Sequence, residues 1–327
     1  MPTLLETILS IFRPARFPAD STTEPAQITR SKVLVIVYDP AMDDATGTRL
    51  SQHMNWHNTS DLVTGFIGDL LEVSKGLARY EIVQRIDLNE FPAKTDGFRY
   101  TPKTYLDVLN RTTTPHMPQE VDYAAILSKF NILARVARNE IDEVWIFGFP
   151  HAGFYESTMG GPGAFWCNAP ALVNTTASKR RFVVMGFSFE RGVGEMHEAY
   201  GHRAESIMEK TFSKTSGDAN LWKRFIRYEK TSPGKAACGN IHFAPNSQTD
   251  YEWGNKTPVK SECYDWLLNF PNFKGDIRPV DDSEWGGGEI RAHHKWWFNH
   301  FPRTAGRKNK IHNNWWQYVV APQQVVL

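Results

Sequence analysis

The stretch GVGEMHEAYGHRAESIMEK, residues 192–210, places two histidines and several carboxylates on one predicted helix. His197 and His202 are five residues apart, whereas the zinc-binding pattern H-E-x-x-H has its histidines four apart, so that both reach one ion. Two helical residues five apart point about 140° away from each other. His197 also has apolar helical neighbours such as Val193 and Tyr200. We therefore expect His197 to be buried and hydrogen-bonded, and to bind no metal together with His202.

The other face of the same helix carries a polar stripe made of Glu195, Glu198, His202 and Glu205. Carboxylates and an imidazole at three- and four-residue spacing are typical of carboxylate-rich metal sites. The stripe predicts that Glu198, His202 and Glu205 hold a divalent metal, zinc or calcium. The alternative is an ordinary solvated helix face.

Polar residues also follow three predicted strands. In open α/β sheets, ligands bind beyond the carboxyl ends of the strands, where loops and helix starts converge. The glycine-rich stretch PHAGFYESTMGG follows the strand DEVWIFGF, and SFERGVGE follows RRFVVMGF. The predicted catalytic residues in these stretches are Glu156, Glu190, His151 and Glu195. The predicted substrate-binding residues at the strand ends are Asp39, Tyr155 and Arg191.

This glycine-rich stretch fits no phosphate-binding loop, since neither G-x-x-x-x-G-K-[ST] nor G-x-G-x-x-G occurs in it. It also lacks the G-x-S-x-G turn of a serine hydrolase. The alternative to a catalytic loop is a solvated connection between elements.

The C-terminal third mixes His, Asn and Asp with Trp and Tyr. Flat aromatic faces beside hydrogen-bonding groups suit the walls of a ligand cleft, although Trp is also highly buried on average. The residues predicted to contact substrate here are His242, Trp253, His294 and Trp297. For each of them a structural role in the core is the competing interpretation.

Strands and helices alternate along the first 210 or so residues. KVLVIVYDP, RYEIVQRIDL, DEVWIFGFP and RRFVVMGFSF are predicted strands, and a single long helix is predicted over EVDYAAILSKFNILARVARNE. This alternation predicts an α/β fold with a doubly wound, mostly parallel sheet. We predict an N-terminal segment and linker over 1–30, an α/β domain over 31–229, and an irregular aromatic-rich region over 230–327 packed on it.

Composition limits the classes of function. Among 327 residues, Lys plus Arg total 37 and Asp plus Glu total 36, so a nucleic-acid partner is not expected. Three cysteines argue against a disulfide framework. No apolar run is long enough for a membrane span, and the N-terminus does not resemble a signal peptide, which favours an intracellular protein over a secreted one.

These features predict a hydrolase or lyase that acts on a small-molecule, glycan or peptide substrate, hydroxyl-rich or peptide-like, through strand-end carboxylates. A divalent metal is a variant of the same hypothesis. The alternative is a non-catalytic glycan- or peptide-binding protein that uses the Trp-rich region.

Overall fold

The computed structural model describes residues 24–43 and 45–326, so most of the predicted N-terminal segment lies outside the described residues. Its central feature is a five-stranded sheet with the order β2-β1-β3-β5-β4. β1, β2, β3 and β5 run parallel, and β4 is antiparallel to β5. The strands of this sheet are β1 (Thr29–Tyr38), β2 (Ala78–Leu88), β3 (Glu143–Gly148), β4 (Ser157–Gly160) and β5 (Phe182–Ser188). The α/β arrangement with a mostly parallel sheet is therefore present.

The inner strands form because their side chains are apolar on both faces, as expected for strands covered on both sides. Every residue of β3 is buried. Val35 of β1 lies opposite Trp145 of β3, which in turn lies opposite Met185 of β5. The carboxyl ends of these three parallel strands therefore meet at one edge of the sheet.

Helices connect the strands and form most of the C-terminal part. The α-helices are α1 (Leu50–His53), α2 (Thr59–Val73), α3 (Pro102–Leu109), α4 (Tyr123–Lys129), α5 (Ile132–Ala137), α6 (Val193–Thr211), α7 (Leu221–Phe225), α8 (Cys263–Asn269), α9 (Ile290–Asn299) and α10 (Trp316–Val320). Two small antiparallel pairs, which sequence reasoning missed, are β6 (Val259–Ser261) with β7 (Arg278–Val280), and β8 (Arg303–Lys308) with β9 (Ile311–Asn314). Among the described residues no helix is long and apolar enough to cross a lipid bilayer.

Two sequence predictions about elements need correction. The single long helix over 120–140 is instead α4 and α5, because Asn131 between them adopts a left-handed conformation with φ 56°, which interrupts a right-handed helix. The stretch after β3 is not only a loop, since Ser157–Gly160 pairs with β5 as an edge strand. Glu156 therefore lies directly at the start of a strand, with a fixed backbone.

A buried carboxylate joins three helices. Asp69 of α2 lies 3.0 Å from Nε2 of His197 on α6. It also accepts hydrogen bonds from Arg291 of α9 and forms an ion pair with Lys295 of the same helix. His197 is fully buried, as its apolar helical neighbours predicted. This cluster fixes α6 relative to α2 and α9.

Most of the tryptophans fill the interior. The fully buried ones are Trp145, Trp222, Trp266, Trp285, Trp297, Trp315 and Trp316. The three cysteines are buried and unpaired. The high aromatic content is therefore mainly a property of the core.

Candidate metal centre and adjoining cleft

A tight turn brings a distant histidine to helix α6. Gly239, with φ 70°, starts this turn, and a Cβ atom there would lie 2.1 Å from the carbonyl oxygen of Phe243. The side-chain oxygen of Asn240 accepts the backbone N–H groups of His242 and Phe243. The turn therefore presents the His242 ring in one direction.

The same turn lies unusually close to α6 because Gly201 has no side chain. A Cβ atom on Gly201 would lie 2.3 Å from Cδ1 and 2.4 Å from Cγ1 of the buried Ile241. Glu205, one turn further along the helix, accepts the Ile241 backbone N–H at 3.1 Å. The glycine in HEAYGH thus allows the contact that places His242 beside His202.

Three potential metal ligands meet at this contact. One ligand atom from each of Glu198, His202 and His242 lies within 4.8 Å of the other two. Nε2 of His242 is 3.0 Å from Nε2 of His202 and 3.3 Å from Oε1 of Glu198. Zinc bonds of about 2.0–2.1 Å in a tetrahedral geometry separate ligand atoms by about 3.3 Å. The distances of 3.0 and 3.3 Å from Nε2 of His242 lie close to that separation.

Each of the two imidazoles has a carboxylate beside its Nδ1 atom. Nδ1 of His202 is 3.0 Å from Oε2 of Glu205, and Nδ1 of His242 is 3.1 Å from Oδ1 of Asp250. An ionised carboxylate only accepts hydrogen bonds, so Glu205 favours the His202 tautomer with its hydrogen on Nδ1, which leaves a lone pair on Nε2. The Nε2 atom of His242 faces this lone pair at hydrogen-bonding distance. A metal ion bound by both Nε2 atoms is a second way to satisfy them, and metal-bound histidines have the same kind of carboxylate support.

Negative charge dominates the electrostatics of this group. Burial alone would lower the pKa of His202, but the hydrogen bond to Glu205 and the charges of Glu205, Glu156 and Glu198 raise it. The hydrogen bond with Glu198 raises the pKa of His242. Burial raises the pKa of Glu198, yet the hydrogen bonds with His242 and Tyr251 outweigh burial and bring it to about 2. The group is therefore poised to attract positive charge.

Tyr251 covers the ligand group on its solvent side. Its hydroxyl donates to Oε1 of Glu198 at 2.8 Å and lies 3.1 Å from Nε2 of His242. Its φ of 59° is unusual for a bulky residue, and such strain concentrates at functional sites. Burial and the neighbouring carboxylates raise the pKa of Tyr251, so its hydroxyl keeps its proton at neutral pH.

A cleft of about 240 Å³ lies at the carboxyl ends of β3 and β5, next to this group. The predicted site residues that line it are His151, Glu156, Glu190, Arg191 and Glu195. On its α6 side the wall includes Ala199, the neighbour of Glu198. These five residues, which the sequence placed after the ends of two strands, therefore line one cleft.

Glu156 links the cleft to the ligand group. It lines the cleft, and its charge acts on both His202 and Tyr251. Its Oε2 accepts a hydrogen bond of 2.7 Å from the side chain of Asn168, whose backbone N–H is held by Ser206 of α6. Glu156 is thus a fixed carboxylate between the two features.

The other two carboxylates of the cleft have different surroundings. Glu195 accepts the Gly192 backbone N–H at 3.0 Å and so caps the start of α6. Glu190 is exposed and lies 3.9 Å from Arg191 in a loose ion pair. Glu156 therefore has the surroundings most suited to chemistry.

A buried lysine organises the loop that carries His151. Lys94 is 1% exposed and donates to the backbone carbonyls of Gln119, His151 and Ala152 at 2.6–2.9 Å. Burial lowers the pKa of Lys94 to about 8. His151 itself has φ 63°, a strained conformation that this lysine helps to hold.

Three other predicted residues belong neither to the ligand group nor to the lining of the first cleft. Asp39 accepts two hydrogen bonds from Ser51 at the start of α1, and Tyr155 stacks on Tyr123. Trp253 is 6% exposed and stacks on the buried His293. Their predicted roles in binding substrate gain no support from this placement.

His294 and Trp297 occupy the interior. The His294 ring lies between the backbone carbonyls of Gly194 and Ile241, where burial lowers its pKa to about 4. Trp297 is fully buried and donates to the carbonyl of Gly239. Both side chains therefore support the turn that carries His242, from within the core.

The predicted metal ligands are brought together only in part. Glu198 and His202 lie in the ligand group, whereas both oxygens of Glu205 are bonded to His202 and to the Ile241 backbone. His242, predicted to bind substrate, is the third member. Sequence reasoning did not single out Tyr251, which follows Asp250 in the stretch HFAPNSQTDY.

Comparison with known protein families, with curated proteins and with solved structures finds no match to this chain. Its function must therefore be argued from the site.

Proposed function

We propose that this protein is a zinc-dependent hydrolase whose metal ligands are Glu198, His202 and His242. The observation that carries the proposal is the pair of Nε2 atoms 3.0 Å apart, each ring supported by a carboxylate at Nδ1. Two imidazoles and one carboxylate are a ligand set typical of catalytic zinc. Calcium, which prefers six to eight oxygen ligands, suits the set less well.

The adjoining cleft supports catalysis rather than a purely structural metal. Three protein ligands leave a coordination position open for water or substrate, and bound zinc lowers the pKa of such a water to near 7. Glu156 would act as general base toward this water from the cleft side. The protonated hydroxyl of Tyr251 would donate to the oxyanion that develops on the substrate. A lyase reaction of the same site is the related alternative.

Carboxylates alone are less well supported as the catalytic machinery. Glu195 is engaged in capping α6, and Glu190 is exposed beside Arg191. A binding protein built on the Trp-rich region also gains little support, because Trp253 and Trp297 are buried.

Metal analysis tests the proposal directly. We expect the purified full chain to bind one zinc ion per molecule in preference to calcium, by elemental analysis and by titration. H202A and H242A should lose this zinc, and H53A, which changes an exposed histidine outside the site, should keep it. A wild-type chain that binds no zinc, or ligand variants that bind it normally, would refute the proposal.

The strand order also supports a proposal about the fold. β2 lies on one side of β1 in the sheet, and β3, the next strand along the chain, lies on the other side of β1. Right-handed crossovers in opposite directions place α2 and the α3–α5 connection on opposite faces of the sheet. We propose on this basis that the sheet is doubly wound, and that the region 230–327 packs on it through α9, whose Arg291 and His294 contact α2 and α6.

A further inference from the structure

A second cleft, of about 560 Å³, lies further along the ligand-bearing helix. The apolar part of its lining is formed by Phe165, Trp166, Trp222 and Ile226. We call it the aromatic cleft. Ser206 and Glu209 of α6 also line it.

The two clefts flank the ligand group along one face of α6. The first cleft reaches Ala199 and the aromatic cleft begins at Glu205 and Ser206, with His202 between them. At about 1.5 Å per residue, Ala199 and Ser206 are separated by about 10 Å along the helix. An extended peptide covers that distance with about three residues. A chain bound across the metal would therefore have side chains in reach of both clefts.

Trp166 is exposed beside an anchored stretch of backbone. It is 62% exposed, and two residues later Asn168 donates to Glu156 and to Ser206 of α6. The backbone next to Trp166 is thus attached to α6 while its large ring stays at the surface. An exposed tryptophan in the lining of a cleft is typical of a ligand contact.

Two of the polar side chains that line this cleft are already hydrogen-bonded within the protein. Both oxygens of Glu205 accept hydrogen bonds from His202 and Ile241, and the side-chain oxygen of Asn240 accepts from its own turn. Glu209 and Lys210 are charged side chains of the same lining. The ring faces of Phe165 and Trp166 favour an apolar side chain as the group that enters the cleft.

We infer that the aromatic cleft is a substrate subsite that binds a large apolar or aromatic side chain of a peptide. This inference deepens the proposed function and depends on it for the cleavage step, but not for binding. The peptide would place this side chain on one side of its scissile bond. The acidic first cleft would receive the chain on the other side.

Binding is tested with N-acetyl-L-phenylalaninamide as a probe of the full chain, followed by NMR. We expect the probe to bind, W166A to weaken its binding by about tenfold or more, and H53A, which lies outside both clefts, to leave it unchanged. L268A, which truncates another exposed side chain (61% exposed) outside the cleft, is the matched control. N-acetylglycinamide and cellobiose should bind far more weakly.

Cleavage is tested separately with a peptide library on the zinc-loaded chain. Products should show a preference for aromatic or large aliphatic residues beside the cut, and W166A should raise KM for them with little change in kcat. The inference is overturned if the probe does not bind, if W166A binds it normally, or if cellobiose binds better. If the probe binds as expected but no zinc is held, the subsite stands and the proposed function fails.

Discussion

At the scale of single residues, the proposed site separates metal ligands from the groups that orient them. Glu205 is hydrogen-bonded to Nδ1 of His202 and so sets its tautomer, and Asp250 forms an ion-pair contact with Nδ1 of His242. Removing such an outer partner typically costs 10- to 100-fold in metal affinity. Their effect is therefore measurable without any substrate.

We expect E205Q to weaken zinc binding by about 10- to 100-fold. The neutral amide is a weaker acceptor than the carboxylate for the N–H at Nδ1 of His202, so the ring binds the metal less strongly. Competition with a chromophoric chelator measures this affinity. E209Q is the matched control, since Glu209 lies one turn further along α6 and pairs only loosely, at 3.9 Å, with Lys223. Equal affinities of the two variants would show that Glu205 does not support the metal.

The carboxylates of the first cleft distinguish two mechanisms. E156Q should lower turnover by about 10² or more while zinc binding is retained, because it removes the general base and keeps the shape. E190Q should have a much smaller effect, since Glu190 is exposed and not held toward the ligand group. Turnover of the same peptide substrate by both variants measures this difference. If both variants lose activity equally and zinc is dispensable, catalysis depends on the carboxylate pair predicted from the sequence.

At the scale of elements, the site depends on how closely the 239–243 turn approaches α6. A methyl group on Gly201 would collide with Ile241, whose Cγ1 would lie 2.4 Å away. Real Cβ atoms do not tolerate such a distance, so the turn must move outward and take His242 with it.

We therefore expect G201A to weaken zinc binding by about tenfold or more, and to lower the free energy of unfolding by about 1–3 kcal/mol through overpacking. Chelator competition and urea unfolding measure the two effects. G68A, in α2, is the matched control, because no atom lies within 4 Å of its added Cβ. That control should gain about 0.5–1 kcal/mol from helix propensity. A G201A variant that behaves like G68A would show that the turn does not depend on the space left by Gly201.

At the scale of the whole molecule, buried histidines make stability depend on pH. Burial lowers the pKa of His300 to about 4, assisted by the charge of Arg303, despite a hydrogen bond to the Trp296 carbonyl. Burial also lowers the pKa of His293, whose ring nitrogens have no hydrogen-bond partner among the described residues. In the unfolded chain a histidine titrates near 6.5.

Below pH about 6.5 these histidines therefore bind protons in the unfolded chain but stay neutral in the folded chain. The stability contributed by these neutral rings is complete above pH about 6.5 and is lost as the pH falls toward 4. His300 accounts for about 3 kcal/mol at most over this range. We expect H300N to reduce the loss of unfolding free energy between pH 7 and 4.5 by about 2 kcal/mol.

Urea unfolding at several pH values measures this slope, and H53N, at an exposed position, is the control. An H300N slope equal to that of the wild type would mean that His300 is protonated in the folded chain.

The sequence by itself determined the four parallel strands of the sheet and the residues that share a face of α6. Alternating apolar strands and amphipathic helices predicted the mostly parallel α/β sheet, because side-chain periodicity follows directly from local geometry. Helical spacing alone separated His197 from His202 and put Glu198 beside His202. The strand-end rule brought Glu156 and Glu190 to one cleft, since neighbouring parallel strands end together.

Only the tertiary structure decided which residue is the third proposed ligand and which tryptophans are buried. His242 is 40 residues from His202, and no periodicity links them; their contact depends on the space left by Gly201 and on the bond from Glu205 to the turn. Trp166 and Trp297 are chemically the same residue, yet one is exposed at a cleft and the other is fully buried. Burial is a property of the packed chain rather than of residue type, so the sequence could not distinguish a cleft wall from a core.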